Sequence, residues 1–217
     1  MLTNIKAVIF DLDGTLIDSM WVWSKIDEDY FRVRNMDLPP NLKEQIEHLS
    51  FDETAVYFKN NFNITDTIEE IKKEWMDFAH VEYKSNVKLK PGVIEFLSLL
   101  KNLNIKIGLA TSNTKILLEA GLQANDIYHY FDSITLTDEV SRGKDFPDVY
   151  LLAAERLGVN PHECIVFEDI LPAVKGAKAA GMKVVGVYDD FSKEQRDDII
   201  YHADKYIVEY HELITVI

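Results

Sequence analysis

The sequence predicts an α/β fold: a parallel sheet flanked by helices and interrupted once by a helical insertion. Three observations carry this reading. Short, unbroken runs of β-branched residues recur along the chain, helical patterns stand between the later ones, and residues 17 to about 86 drop the strand texture altogether. Apolar runs that do not alternate mark strands covered on both faces.

The first strand is IKAVIF at 5–10. The insertion follows, with apolar residues returning at helical spacing at Ile68, Ile71, Trp75 and Phe78. Its hinges are expected at Thr15–Asp18 and at Lys88–Gly92, the latter carrying Pro91-Gly92. This divides the chain into a core domain, 1–16 and 88–217, and a helical cap domain, 17–87. Beyond the second hinge VIEFLSLLKNL reads as a helix, IKIGLA (105–110) as a strand, TKILLEAGL as a helix and SITL (133–136) as a strand. PDVYLLAAERLG, CIVF (164–167), LPAVKGAKAAG, KVVGVY (183–188) and KYIV (205–208) continue the alternation. Gly121, Gly158 and Gly181 fall where helix C-caps belong. Strands alternating with helices imply parallel pairing through crossover connections.

Composition narrows the partners. The 217 residues carry a formal net charge of −14, with the acids spread along the chain. Such a field repels nucleic acid and anionic membrane, and a phosphorylated ligand would need local cations. No apolar run approaches the ~18 residues of a membrane span. The lone Cys164 sits in an apolar run, reads as a small core residue and permits no internal disulfide, so a cytoplasmic protein is expected. The sequence says nothing about oligomeric state.

Four polar clusters each follow a strand. Asp11 and Asp13 follow IKAVIF; Thr111, Ser112 and Asn113 follow IKIGLA; Lys144 lies in the loop after SITL; Glu168 and Asp169 close CIVF. Ligands of open α/β sheets bind beyond the carboxyl ends of the strands, where these clusters can converge. Each has a bland alternative: a turn and N-cap for Asp-x-Asp-Gly, a helix cap for Thr111–Asn113, a solvated lysine, an acidic helix start. A calcium loop is excluded, because Leu16 and Val22 stand where its Gly and Glu belong. Together and in this order, the four outweigh their separate alternatives.

The segments DLDGTLIDS (11–19), ATSN (110–113), GKDFPDVYLLAAERLGV (143–159) and FEDI with LPAVKGAKAAG (167–181) resemble the haloacid dehalogenase superfamily, in its phosphoglycolate phosphatase and β-phosphoglucomutase branch. The resemblance implies a Rossmann-like core and a Mg²⁺-dependent phosphatase acting on a small phosphorylated metabolite, such as a sugar phosphate, through an aspartyl-phosphate. Asp11 would be the nucleophile and Asp13 the acid and base. Thr111, with the amides of Ser112 and Asn113, would hold phosphoryl oxygens, Gly14 would admit the phosphate to the backbone, and Lys144 would neutralise charge. Metal ligands would be Asp11, the Asp13 carbonyl and Asp169, with Glu168 bound directly or through water. The physics agrees: at ~4 Å and an effective dielectric of ~20, a carboxylate and a phosphate oxygen repel by about 4 kcal/mol per pair of charges, which a divalent cation removes.

Two departures stand out. Mutases of this branch carry an arginine of the cap near HLSFDETA (48–55), where this chain has Phe51; this favours a hydrolase over a phosphosugar mutase. Asp145-Phe146 replaces the usual proline and small residue after the lysine. Trp21 and Trp23, two apart on a helix, point to nearly opposite faces. One is expected in the cap core while the other, or Met20, faces the site; two structural aromatics is the competing reading. A non-catalytic phospho-aspartate switch is the remaining alternative, and it needs neither Asp13 nor a cap.

Overall fold

The computed structural model describes residues 2–46 and 49–214. In chain order its strands and α-helices are β1 Ala7–Phe10, β2 Ile17–Asp18, α1 Val22–Val33, α2 Leu42–Ile46, α3 Phe51–Asn61, α4 Ile68–Ser85 and β3 Lys88–Leu89. There follow α5 Val93–Asn102, β4 Lys106–Thr111, α6 Lys115–Ala124, β5 Ser133–Leu136, α7 Asp148–Leu157 and β6 Cys164–Glu168. The chain closes with α8 Leu171–Ala179, β7 Lys183–Val187, α9 Arg196–His202, β8 Lys205–Ile207 and α10 His211–Ile214.

All six strand-like runs form strands, and among the described residues they make one parallel sheet in the order β5-β4-β1-β6-β7-β8. From β1 the chain builds outward through β4 and β5, then crosses back to β6 on the other side. The reversal puts the topological switch at β1, so the ends of β1, β4 and β6 open onto one crevice.

Two compact units emerge, Met1–Met20 with Val87–Ile217, and Trp21–Asn86. The second starts four residues beyond the expected 17, because Ile17 and Asp18 pair antiparallel with Leu89 and Lys88 inside the first unit. Of the three glycines expected as C-caps, Gly158 and Gly181 do adopt positive φ at helix ends. Gly121 does not: it lies inside α6, which runs on to Ala124 and is capped by Asn125.

Strand parity sorts the core. Ala7, Ile9, Cys164 and Val166 pack on one face with Val149, Tyr150 and Ala153 of α7 and Val174 and Ala177 of α8. Phe10 and Phe167 point to the other face, where their rings meet each other, Phe96 and Tyr210 at centroid distances of 4.9–6.2 Å. Cys164 is buried in this core, as expected.

The helical unit is held by aromatic edges. Tyr30, Phe31, Phe58, Phe62 and Trp75 contact one another at 4.8–6.4 Å. Helices α3 and α4 both begin with a capping box, Ser50 with Glu53 and Thr67 with Glu70, which satisfies orphan N–H groups at each start. The buried tryptophan is Trp75; Trp23 is 39% exposed and Trp21 half-buried, so neither fills this core. Expecting one of that pair inside is corrected: Trp75 lies on the apolar stripe of the 18-residue α4 with Ile71 and Ala79, whereas Trp23 sits on the polar side of α1. Of the HLSFDETA stretch, His48 lies outside the described residues. Phe51 opens α3 and packs its ring against Trp23 and Trp75.

Candidate active site

Parity also aims the site. Asp11 follows β1 and lies two residues past Ile9; Glu168 ends β6 two residues past Val166, so both are expected on the α7/α8 face. There Lys144 reaches them: its Nζ donates to Asp11 Oδ1 and, at 2.8 Å, to Glu168 Oε1. The three are 6%, 9% and 1% exposed for Asp11, Lys144 and Glu168. Tyr150 donates its hydroxyl to the same Glu168 Oε1 at 2.8 Å. Glu168 Oε2 is left buried with no hydrogen-bond partner.

The Lys144 loop gets there by pressing its backbone onto α8. A Cβ at Gly176 would lie 2.0 Å from the Lys144 carbonyl oxygen and 2.9 Å from that of Phe146, so only glycine admits this approach. The acid at Asp145 stays outside, exposed, while Arg142 pairs with Asp148 at 2.7 Å and covers the Phe146 ring. The departure at Asp145-Phe146 therefore leaves the lysine's aim intact.

Asp169 completes the acidic group. Carboxylate oxygens of Asp11, Glu168 and Asp169 lie within 4.8 Å of one another, all three residues buried. Thr15 Oγ1 donates to Asp169 Oδ1 at 3.2 Å. Gly14, at φ +78°, passes so close that a Cβ would sit 2.4 Å from Asp169 Oδ2. Burial, with Asp11 and then Glu168 adding repulsion, holds the Asp169 carboxyl well above the ordinary range. Burial pushes Glu168 up to about 7, against the pull of Lys144. For Lys144 burial works toward neutrality, yet Asp11 and Glu168 together hold the ammonium firmly charged.

Such a group fits a hard divalent cation. Three carboxylates face one ammonium, so full ionisation leaves two negative charges uncompensated, and an unpartnered Glu168 oxygen stands ready as an oxygen ligand. The residues present can hold a metal ion.

Asp13 is not in that trio, and its carboxylate is engaged elsewhere: Ser19 Oγ donates to Oδ1 at 2.6 Å and Asn113 Nδ2 to Oδ2 at 2.8 Å. Thr111 is buried at the end of β4, and its hydroxyl accepts the Asn113 amide at 3.0 Å. Helix α6 starts only at Lys115, capped by Thr114, so Ser112 and Asn113 precede its N-terminus; Ser112 is exposed. Asn113 thus reaches the site through its side chain rather than a helix-end amide.

Sequence reading overlooked three contributors, Tyr150, Thr15 and Ser19. Tyr150 hides in the apolar stripe of α7, where only a hydroxyl among Val, Ala and Leu hints at a polar errand. Thr15 and Ser19 lay within DLDGTLIDS, readable as hydroxyls one turn from the acids.

Comparison with known proteins agrees with this geometry. The haloacid dehalogenase-like hydrolase family matches residues 8–187. A phosphorylated carbohydrates phosphatase of Thermotoga maritima is 33% identical over 188 residues, 84% of this chain and 85% of that protein. A β-phosphoglucomutase of Bacillus subtilis is 33% identical over 196 residues, covering 84% and 83%. A solved Thermotoga maritima structure provisionally named a β-phosphoglucomutase superposes with a TM-score of 0.86 at 28% identity, covering 98% of this chain and all of that one. With its switch-point crevice and Asp-centred acidic cluster, the chain belongs to the haloacid dehalogenase-like hydrolases and has the fold of their phosphatases.

Proposed function

We propose that the protein is a Mg²⁺-dependent phosphatase of small phosphorylated metabolites, with phosphorylated sugars the favoured class. One observation carries this: Lys144 bridges Asp11 and Glu168 while Glu168 Oε2 is left without a partner and the Asp169 carboxylate lies within 4.8 Å of both acids. That is an arrangement for a charged nucleophile and a cation, not for a stored structural charge. The similarity to a phosphatase of phosphorylated carbohydrates supports the substrate class.

Asp11, Asp169 and the Asp13 carbonyl would hold the ion, with Glu168 Oε2 as a direct ligand. Bound there, Mg²⁺ would screen the nucleophile from the anionic ester and withdraw charge from the phosphoryl oxygens. Asp11 attacks phosphorus through its carboxylate, forming a new P–O bond as the P–O bond to the departing alkoxide breaks, giving an aspartyl-phosphate. Asp13 gives its proton to the departing alkoxide, then takes one from the water that attacks the same phosphorus and frees Asp11. Ser19 and Asn113 aim that carboxyl, each on one oxygen. Thr111 and Asn113 would contact phosphoryl oxygens, and Lys144 would offset charge spread over them in the transition state. The surroundings are expected to be cytoplasmic; among the described residues no helix is long and apolar enough to cross a membrane.

The mutase reading stays as the alternative to be tested, since a mutase is among the relatives. Phe51, packed between two tryptophan rings, supplies no cation for a second phosphate. The deciding experiment is a phosphate-release screen of the purified chain across phosphomonoesters, with Mg²⁺ or with chelator. Metal-dependent release from sugar phosphates is expected. Interconversion of hexose 1- and 6-phosphates without net release would overturn the hydrolase reading.

A further inference from the structure

Lys144 is the one buried residue in an exposed loop. Its neighbours Ser141, Arg142, Gly143, Asp145 and Phe146 are all exposed, so burial of their side chains does not fix where the lysine starts. Two contacts shape the loop locally. The Phe146 amide donates to the Gly143 carbonyl at 3.0 Å, and Arg142 pairs with Asp148 in the first turn of α7. Neither touches β1 or β6, the strands that lead to Asp11 and Glu168.

The seat of the loop is Gly176, buried inside α8. The hydrogen that stands in place of its side chain faces the carbonyl oxygens of Lys144 and Phe146. Glycine weakens a helix interior relative to alanine, and Gly176 has no positive φ that would call for it. Close approach of the loop is what the residue provides. Helix α8 begins two residues after Asp169, so one rigid element both follows the acids and carries the loop that brings them their ammonium. A methyl at Gly176 would collide with the Lys144 carbonyl oxygen. Relieving that collision moves the carbonyl by about 1 Å, the scale of misplacement that slows a reaction ~10²-fold.

We propose that Gly176 is a positioning residue for turnover: by admitting the Lys144 carbonyl against α8, it sets the reach of the Lys144 ammonium to Asp11 and Glu168. It touches neither acid and acts only through the lysine. Its effect on turnover rests on the phosphatase reading; its effect on where the ammonium stands does not.

The test uses the full chain in four forms: unaltered, Gly176→Ala, Lys144→Met and the double variant. Melting curves check each fold, and hydrolysis of p-nitrophenyl phosphate with Mg²⁺ gives kcat and KM. Gly176→Ala is expected to lower kcat by ~10²-fold with KM held within about threefold, and to add less than about threefold to the loss in Lys144→Met. Crystal structures of the unaltered and alanine chains supply a readout that needs no activity: in the alanine variant Lys144 Nζ should leave hydrogen-bond distance of Asp11, Glu168 or both. A lysine that still bridges both acids overturns the proposal. So does an unchanged kcat, a full further loss in the Lys144→Met background, or loss of cooperative melting, which would make Gly176 a residue of the fold alone. No metal-dependent release by the unaltered chain overturns the phosphatase reading and the turnover half of the proposal, while the two crystal structures still decide the geometry.

Discussion

The two units bury opposite kinds of side chain. Around the carboxyl ends of β1, β6 and β7 the first unit encloses Asp11, Lys144, Glu168, Asp169, Lys90 and Asp189. The helical unit encloses aromatic rings, and among its described residues the buried charge is Glu82, bonded by Asn86. Its ion pairs, such as Arg34 with Asp66 and Glu74, stay part-exposed. Buried charge is costly and persists where chemistry uses it; buried rings are cheap and hold shape. One unit is built to react and the other to pack.

Changes at four residues would break or sharpen that contrast. The largest effect is expected from Asp11→Asn, which should lower phosphate release by ~10⁴-fold or more while the melting midpoint holds; retained metal-dependent turnover would end the nucleophile assignment. Next comes Trp75→Ala in the helical unit, expected to cost about 3–5 kcal/mol in denaturant unfolding because it empties the centre of the aromatic cluster. Trp75→Phe should cost far less, since the indole Nε1 is buried without a partner and its loss removes that liability. If both cost little, the rings are not what holds that unit.

Tyr150→Phe is a finer probe of the first unit. Removing one of the two donors on Glu168 Oε1 should weaken Mg²⁺ binding by about tenfold with little change in melting, read by titration. The smallest effect concerns a surface pair. Arg156 and the Leu136 amide hold Glu139 down at about 2, below the ordinary 4.5. A depressed carboxyl contributes stability above its unfolded value, and that contribution fades as pH falls from about 4.5 toward 2. The pair is a third exposed, so the gain is under about 1 kcal/mol, and Glu139→Gln should flatten the acid limb of the melting profile only slightly.

Much of the core was legible because its signals are local. Unbroken Val and Ile runs made the six strands, and the acids and hydroxyls that end three of them sit at the site. The helical unit was legible only as helices. Trp75 stood on a readable apolar stripe, but that it rather than Trp21 or Trp23 would be the packing centre was not legible, because burial depends on which helix faces come together.

By itself, then, the sequence determined the alternation of strand and helix, the interruption by a helical unit and the placing of polar residues at strand ends. Those follow from periodicities of two and 3.6 residues, which neighbours along the chain decide. Tertiary structure alone decided that Lys144 is shared between residues 133 and 24 positions away, that Thr15 reaches Asp169 across 154, and that Tyr150 leaves one oxygen of Glu168 unclaimed. Contacts so remote in sequence are fixed by strand order and helix packing, and no local pattern encodes which oxygen a hydroxyl will find.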